Sequence, residues 1–222
     1  MRASLVAAIW LVLASPASAD SLPRLMELTD LDLMRSVSDV RISSSGDYAA
    51  YTVQSVNATD DSQQWAVWVV DWESAESRRI STSHVSAYFA RWSPDGGRLA
   101  FLSTGPGGGN ANQVWLYDLA SEKLRQASDV ESGVSDFDWS PDGRHLVLVV
   151  ASSDQPLRYA TPIVIDRFRF KRDGVGYLTD SRNHLQILDL ASGAVTPLTS
   201  GSFDEILPAW SPDGSAIAFV SK

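Results

Sequence analysis

Apolar residues along this chain gather in short runs separated by turn-forming residues. One set of runs reads Val67-Trp68-Val69-Val70-Asp71, Val114-Trp115-Leu116-Tyr117-Asp118 and Leu185-Gln186-Ile187-Leu188-Asp189. A second set, Tyr48–Val53, Leu99–Ser103, His145–Val150 and Ala216–Ser221, begins just after Gly-containing turn sequences. Short runs rich in β-branched and aromatic residues, bounded by Gly, Pro, Asp and Ser, read as strands.

The turn sequence itself repeats. Trp-Ser-Pro-Asp-Gly occurs at Trp92–Gly96, Trp139–Gly143 and Trp210–Gly214, and a worn copy, Ile42-Ser43-Ser44-Ser45-Gly46, precedes them. Pro presets φ, Ser and Asp bond the local backbone, and Gly accepts a left-handed conformation, so the motif closes a hairpin. Register is kept as well. A hydroxyl residue (Ser81, Ser128, Thr199) stands 10 residues after each run-closing Asp, and Trp92, Trp139 and Trp210 stand 21 residues after it. Each unit is expected to hold four strands: one ending at the Trp, one following the Gly, one ending at the Asp and one ending at the Ser or Thr. Four strands recurring every ~40–50 residues describe a propeller blade. The Trp reads as inter-blade packing.

The predicted fold is therefore all-β: a β-propeller of four-stranded blades over residues 37–222, with blades near 37–82, 85–129, 134–200 and an incomplete one at 203–222. About three and a half blades are present where propellers close with ~4–8, so truncation is expected, with the second strand of the last blade an open edge. There Leu207, Ala209, Ile217 and Phe219 are expected to lack covering partners. The third blade holds an insertion near Ser152–Gly176. Residues 20–36 form an N-terminal segment in which Leu25–Val37 has short helical character, with Thr29 as a candidate cap and Asp30 and Asp32 in the first turn.

The first residues point to export. Arg2, the apolar run Leu5–Leu13 and the small residues Ala17-Ser18-Ala19 before Asp20 follow the pattern of a secretory signal peptide over residues 1–19. The alternative, a membrane anchor, is disfavoured because the run is about half of the ~20 residues a span needs. The expected location is periplasmic or extracellular. Composition adds limits. At 44% hydrophobic and 20% charged residues, the chain can bury a sizeable core. Net charge is −9, and −10 once Arg2 is removed with the leader, which argues against nucleic acid and anionic membranes as partners. With no Cys there are no disulfides and no thiolate metal sites.

No residue stands out as catalytic, cofactor-binding or metal-ligating. A serine hydrolase of the α/β type carries its nucleophile in Gly-x-Ser-x-Gly, and no such elbow occurs. His84, His145 and His184 fall at turn or strand positions of the scaffold. The loop Gly105–Asn110 is followed by a strand, not by the helix a phosphate site needs. Acidic residues lack the spacing of a calcium loop. Asn57-Ala58-Thr59 matches a glycosylation acceptor, a common triplet. The insertion stretch Asp166–Gly174 alternates basic and aromatic residues. As a strand it puts Arg167, Arg169 and Lys171 on one face and Phe168 and Phe170 on the other. Two readings stand: a hairpin with one buried face, or a basic strand facing the pore or a partner domain, where it could meet substrate carboxylates.

Several of these segments together resemble the N-terminal part of the prolyl oligopeptidase family, in its acylaminoacyl-peptidase and dipeptidyl-peptidase branch. They are the leader running into Leu28–Leu33 and Val37–Ser43, the Trp-Ser-Pro-Asp-Gly blades, and Arg169–Tyr177 of the insertion. The resemblance covers nearly all of residues 25–222. It implies a propeller that restricts access to peptide substrates, joined to a C-terminal α/β-hydrolase domain as its partner. The Ser, Asp and His of that domain have no counterpart here, so no catalytic residue is carried over. Ser44-Ser45 also departs from the family's blade pattern. The competing class is a TolB-like periplasmic propeller that binds partners without catalysis. It resembles the chain less well, since such proteins carry a sizeable domain before the first blade. A further alternative is a solute-binding propeller.

Overall fold

The computed structural model describes residues 25–57, 59–81, 86–109, 111–152, 165, 168, 171–173, 176–177 and 181–222. The leader, His84 and most of the insertion lie outside the described residues.

The described chain is built of antiparallel sheets. The first is β1 (Ser36–Ile42), β2 (Tyr48–Asn57), β3 (Ser62–Asp71) and β4 (Ser77–Arg79), paired in sequence order. The second repeats it with β5 (Ala87–Trp92), β6 (Arg98–Ser103), β7 (Gln113–Asp118) and β8 (Leu124–Gln126). In the third, β9 (Asp136–Trp139) and β10 (His145–Ala151) pair with β13 (Asn183–Asp189) and β14 (Val195–Pro197). Between β10 and β13 lies a separate two-stranded ribbon, β11 (Lys171–Arg172) with β12 (Gly176–Tyr177). The last sheet pairs β15 (Glu205–Trp210) with β16 (Ile217–Ser221). First strands of successive blades touch, β1 with β5 and β9 with β15. The molecule is a β-propeller whose first strands converge.

Local chemistry explains each blade. In the turn, the Ser accepts the N–H that opens the next strand: Arg98 to Ser93 at 2.9 Å, His145 to Ser140 at 2.9 Å and Ala216 to Ser211 at 2.9 Å. The same hydroxyls donate to Asp95, Asp142 and Asp213. In the worn copy, the Tyr48 N–H donates to Ser43 Oγ at 3.1 Å, and the hydroxyl of Ser45 takes the aspartate's place at 3.2 Å from Ser43 Oγ. The closing Gly has φ of 82, 72, 65 and 72° in the four copies, a region where a Cβ strains the backbone.

The run-closing aspartates terminate β3, β7 and β13 by accepting from the turn that follows. Asp71 takes the Ser74 N–H at 2.9 Å, Asp118 takes Ser121 at 2.8 Å and Asp189 takes Ser192 at 2.7 Å. The fourth strand stops two residues short of the expected Ser or Thr. That residue instead folds back beyond the strand and accepts a third-strand N–H, Val67 to Ser81, Val114 to Ser128 and Leu185 to Thr199. The expectation that the strand ends at the hydroxyl is corrected accordingly: the group is a staple to the third strand, buried at Ser81 and Ser128 and partly buried at Thr199.

Two other expectations are corrected. The N-terminal helix is a 3₁₀ helix at Leu28–Leu33, and Thr29 lies inside it. Its start is set by Asp30, whose carboxylate accepts the Glu27 N–H at 2.8 Å. In the last sheet, Ile217 is not uncovered. It packs with Ile206 and Trp210 onto Val147, Val149 and Leu185 of the third blade, while Leu207 and Phe219 are exposed.

Cores sit in the seams between blades. Ala50, Val67 and Val69 of the first blade meet Ala90, Leu99 and Phe101 of the second. Ala100, Leu102 and Val114 of the second meet Phe137, Leu146 and Leu148 of the third. The tryptophans cross these seams. Trp92 Nε1 donates to Arg41 O at 2.9 Å, and Trp139 Nε1 donates to Arg91 O at 3.1 Å.

Candidate functional site

The repeat keeps its turns constant, so chemistry that differs between blades is found where the repeat varies. Apart from the third-blade insertion, it varies on the converging first strands. Counting back three residues from the Trp position gives Asp39, Phe89, Asp136 and Leu207, and counting back one gives Arg41, Arg91, Asp138 and Ala209. Three of the four strands are bulged there, with φ of 49° at Asp39, 58° at Phe89 and 54° at Leu207. A bulge re-aims the side chain it carries.

The bulge at Asp39 aims its carboxylate across the seam. Arg91 of the second blade donates to both oxygens, at 2.8 and 3.0 Å, and Arg41 Nε donates to one at 3.0 Å. The Arg91 guanidinium lies 3.7 Å over the Phe89 ring, which meets Phe137 of the third blade edge-on at 5.4 Å. Beyond it stands Asp136. Burial holds its carboxyl above the usual range, against the Phe137 N–H and the nearby Arg91 charge, which favour the anion. Asp138 accepts the Trp210 backbone N–H at 3.0 Å. The first strands thus carry alternating charges across three blades. Arg41 is about half exposed and binds Asp39 through Nε. Its remaining donors suit carboxylates.

A hollow adjoins this row. It has a volume of about 570 Å³ and is lined by Ser38, Asp39, Thr52 and Trp65 of the first blade and Tyr88 and Phe89 of the second. Sequence reasoning missed both the Asp39–Arg91 bridge and this hollow. The hollow had a signal, the blade-to-blade difference at fixed repeat positions, whereas the bridge depends on the bulge at Asp39.

The residues weighed from sequence fall as follows. His145 sits at the start of β10, 3.4 Å from Asp189 and 3.9 Å from Asp142. His184, on β13, places Nδ1 2.7 Å from Glu205 across the third and fourth sheets. Neither imidazole has a Ser or Thr hydroxyl among its hydrogen-bond partners within the described residues. Gly105 and its neighbours join β6 to β7. Of the insertion, Lys171–Arg172 pairs with Gly176–Tyr177, and the Phe168 side chain is fully exposed, so the buried-face expectation is not met there. Among the described residues no group of three or more His, Asp or Glu is placed to hold a metal ion, and no helix is long and apolar enough to cross a membrane.

Comparison with known proteins bears on the fold and the family. No family model matches the chain. It is 30% identical over 208 residues to the uncharacterized peptidase YuxL of Bacillus subtilis (strain 168), covering 90% of this chain and 31% of that protein. The chain therefore spans about a third of the relative's length. Among solved structures, acylaminoacyl peptidase of Pyrococcus horikoshii matches with a TM-score of 0.63 at 18% identity, over 84% of this chain and 28% of that one. The β-propeller domain of the trilobed protease from Pyrococcus furiosus matches with a TM-score of 0.51 at 18% identity, over 78% and 46%. A protein described as TolB from Agrobacterium tumefaciens gives 0.55 at 18% identity, over 83% and 53%. At that identity the structures speak for the fold, a β-propeller. The resemblance to the propeller part of a prolyl-oligopeptidase-family peptidase agrees with a relative named as a peptidase.

Proposed function

We propose that this chain is the substrate-gating propeller portion of an exported serine peptidase that acts on peptides, working with a C-terminal α/β-hydrolase domain that supplies the Ser, Asp and His. The observation that carries the reading is the alignment with a peptidase along 90% of the chain but only 31% of the relative. The remaining two thirds of the relative leave room for a catalytic domain. The charged row Asp39–Arg91–Asp136 on converging first strands suits a passage that screens peptides by charge and size. The leader over residues 1–19 supports export, with the mature chain starting at Asp20. The acidic balance weighs against nucleic acid and membrane partners.

The test uses the gene's natural product. A fluorophosphonate should label one serine outside residues 1–222, and short peptide anilides should be cleaved while casein is not. Labelling inside residues 1–222 defeats the reading. Absence of hydrolysis, with a partner protein captured instead, favours the TolB-like binding propeller, a second reading supported by the TolB likeness in fold. N-terminal sequencing of exported protein should read Asp20 first, and a retained Met1 would remove the export part.

A further inference from the structure

The hollow between the first two blades is written into the repeat. At the seam between blades two and three, Tyr88 stands four residues before the Trp, Leu102 stands opposite it on the second strand, and Phe137 enters from the next blade. At the seam between blades one and two the same positions hold Ser38, Thr52 opposite it, and Ala90. Three large side chains are thus replaced by three small ones. The backbone spacing is set by the flanking apolar layer, Ala50, Val67 and Val69 against Leu99 and Phe101, so the missing volume stays open.

Its lining is chemically specific. Thr52 is 2% exposed, and its hydroxyl has no hydrogen-bond partner among the described residues. A buried hydroxyl left unpaired is destabilising, and the equivalent Leu102 shows that an apolar residue fits this place in the repeat. Trp65 and Phe89 supply ring surface. The Tyr88 hydroxyl accepts from Asn112 at 2.8 Å and keeps its own proton to donate, since burial pushes its pKa up. Among the described lining residues the one charged group, Asp39, is matched by Arg91 and Arg41. A cation would therefore find the carboxylate engaged, and an anion would meet it head-on.

We infer that this seam hollow is a binding site for a small uncharged aromatic ligand bearing one hydrogen-bonding group, of the phenol class, with its ring against Trp65 and Phe89 and its polar group on Thr52 Oγ1. The volume lies within the ~300–1,000 Å³ range of small-molecule sites. The site stands apart from the peptidase reading and survives its failure.

The probes are p-cresol and toluene, titrated calorimetrically into the intact protein and into its Thr52→Leu and Thr52→Val variants, with thermal melts of each. Wild type should bind p-cresol saturably. Thr52→Leu, which installs the residue of the next blade, should melt higher and lose p-cresol binding at least tenfold. Thr52→Val keeps the shape and removes the hydroxyl. It should weaken p-cresol by about fivefold, the worth of one hydrogen bond, and leave toluene unchanged. No saturable p-cresol binding to wild type, or binding untouched by Thr52→Leu, overturns the site. Equal p-cresol affinity in Thr52→Val overturns the role given to the hydroxyl.

Discussion

The seam between blades one and two and the seam between blades two and three are built from the same repeat positions, yet one is hollow and the other is filled. Both keep the Trp-to-carbonyl bond across the seam, Trp92 to Arg41 and Trp139 to Arg91. Both keep an apolar layer below it. They part where Leu102 gives way to Thr52 and Tyr88 to Ser38. The comparison teaches that a propeller can separate two tasks within one blade. Turns, caps and tryptophans hold neighbouring blades together, which leaves the inner end of the seam free to vary without loss of architecture.

The sharpest way to break the comparison is to make the filled seam like the hollow one. Leu102 is fully buried, so Leu102→Thr removes apolar volume and introduces a hydroxyl. The expected loss is about 3 kcal/mol, or a fall in Tm of roughly 6–12 °C for a chain of this size. A thermal melt checks it. A loss below 1 kcal/mol would mean that the seam collapses freely around small residues, and the hollow beside Thr52 would then have no fixed shape.

The tryptophans allow a second contrast. Trp139 has its Nε1 bond and the Arg98 guanidinium 5.2 Å over its ring. Trp210 occupies the same repeat position at the next seam, but its buried Nε1 has no hydrogen-bond partner among the described residues. Trp139→Phe should therefore destabilise by about 1–2 kcal/mol more than Trp210→Phe, measured by urea midpoint at constant slope. Equal losses would show that the ring, not its N–H, carries the seam.

The bridge across the hollow seam gives a smaller effect. Arg91→Met removes the main partner of a half-buried Asp39 carboxylate and leaves Arg41 alone with it. A loss of about 1 kcal/mol is expected, reduced by solvent screening on the exposed side, and adding salt should shrink the difference. A salt-independent loss would assign the effect to packing of Arg91 on Phe89 instead.

These contrasts also mark what a single sequence discloses. The turns, the spacing of Asp, hydroxyl and Trp, and hence the blade and the propeller, were legible because each rests on bonds within one blade or to its immediate neighbour, and those recur in register. The role of Ser81, Ser128 and Thr199 was half legible. Their position was fixed, but a staple to the third strand and the end of a fourth strand leave the same spacing. The 3₁₀ cap was misplaced because Thr29 is a good cap by type, while Asp30 reaches back to Glu27 by geometry. The Asp39–Arg91 pair was not legible, since it depends on a bulge that turns one carboxylate toward the next blade. The hollow could have been found by laying the blades over one another and noticing Ser38 and Thr52 where Tyr88 and Leu102 stand.

The smallest expected effect again contrasts the first blade with the rest, through pH. Asp95, Asp142 and Asp213 in the turns have carboxyls held below the usual range, first by the Ser hydroxyl two residues before each and then by backbone N–H groups, with Asp213 at about 2. Asp71, Asp118 and Asp189 are lowered by the turn residues they cap. A carboxyl whose pKa is lower in the folded chain binds fewer protons there than when unfolded, so it adds stability above its unfolded pKa of ~3.9. That contribution fades as pH falls from ~4 through the folded values, and is gone near 2 for Asp213. The first turn has Ser45 where the others have Asp, so it contributes nothing in this window. Ser45→Asp should give the first blade what the others have: a gain of a few tenths of a kcal/mol at neutral pH, in line with a solvent-exposed cap, that vanishes by about pH 2. Conversely, Asp142→Ser should lose stability at pH 7, and the loss should shrink as pH falls below ~4. Denaturant melts at pH 7, 4 and 2 check both. A Ser45→Asp gain that persists at pH 2 would trace it to turn geometry, and the difference between the first turn and the others would then not be one of charge.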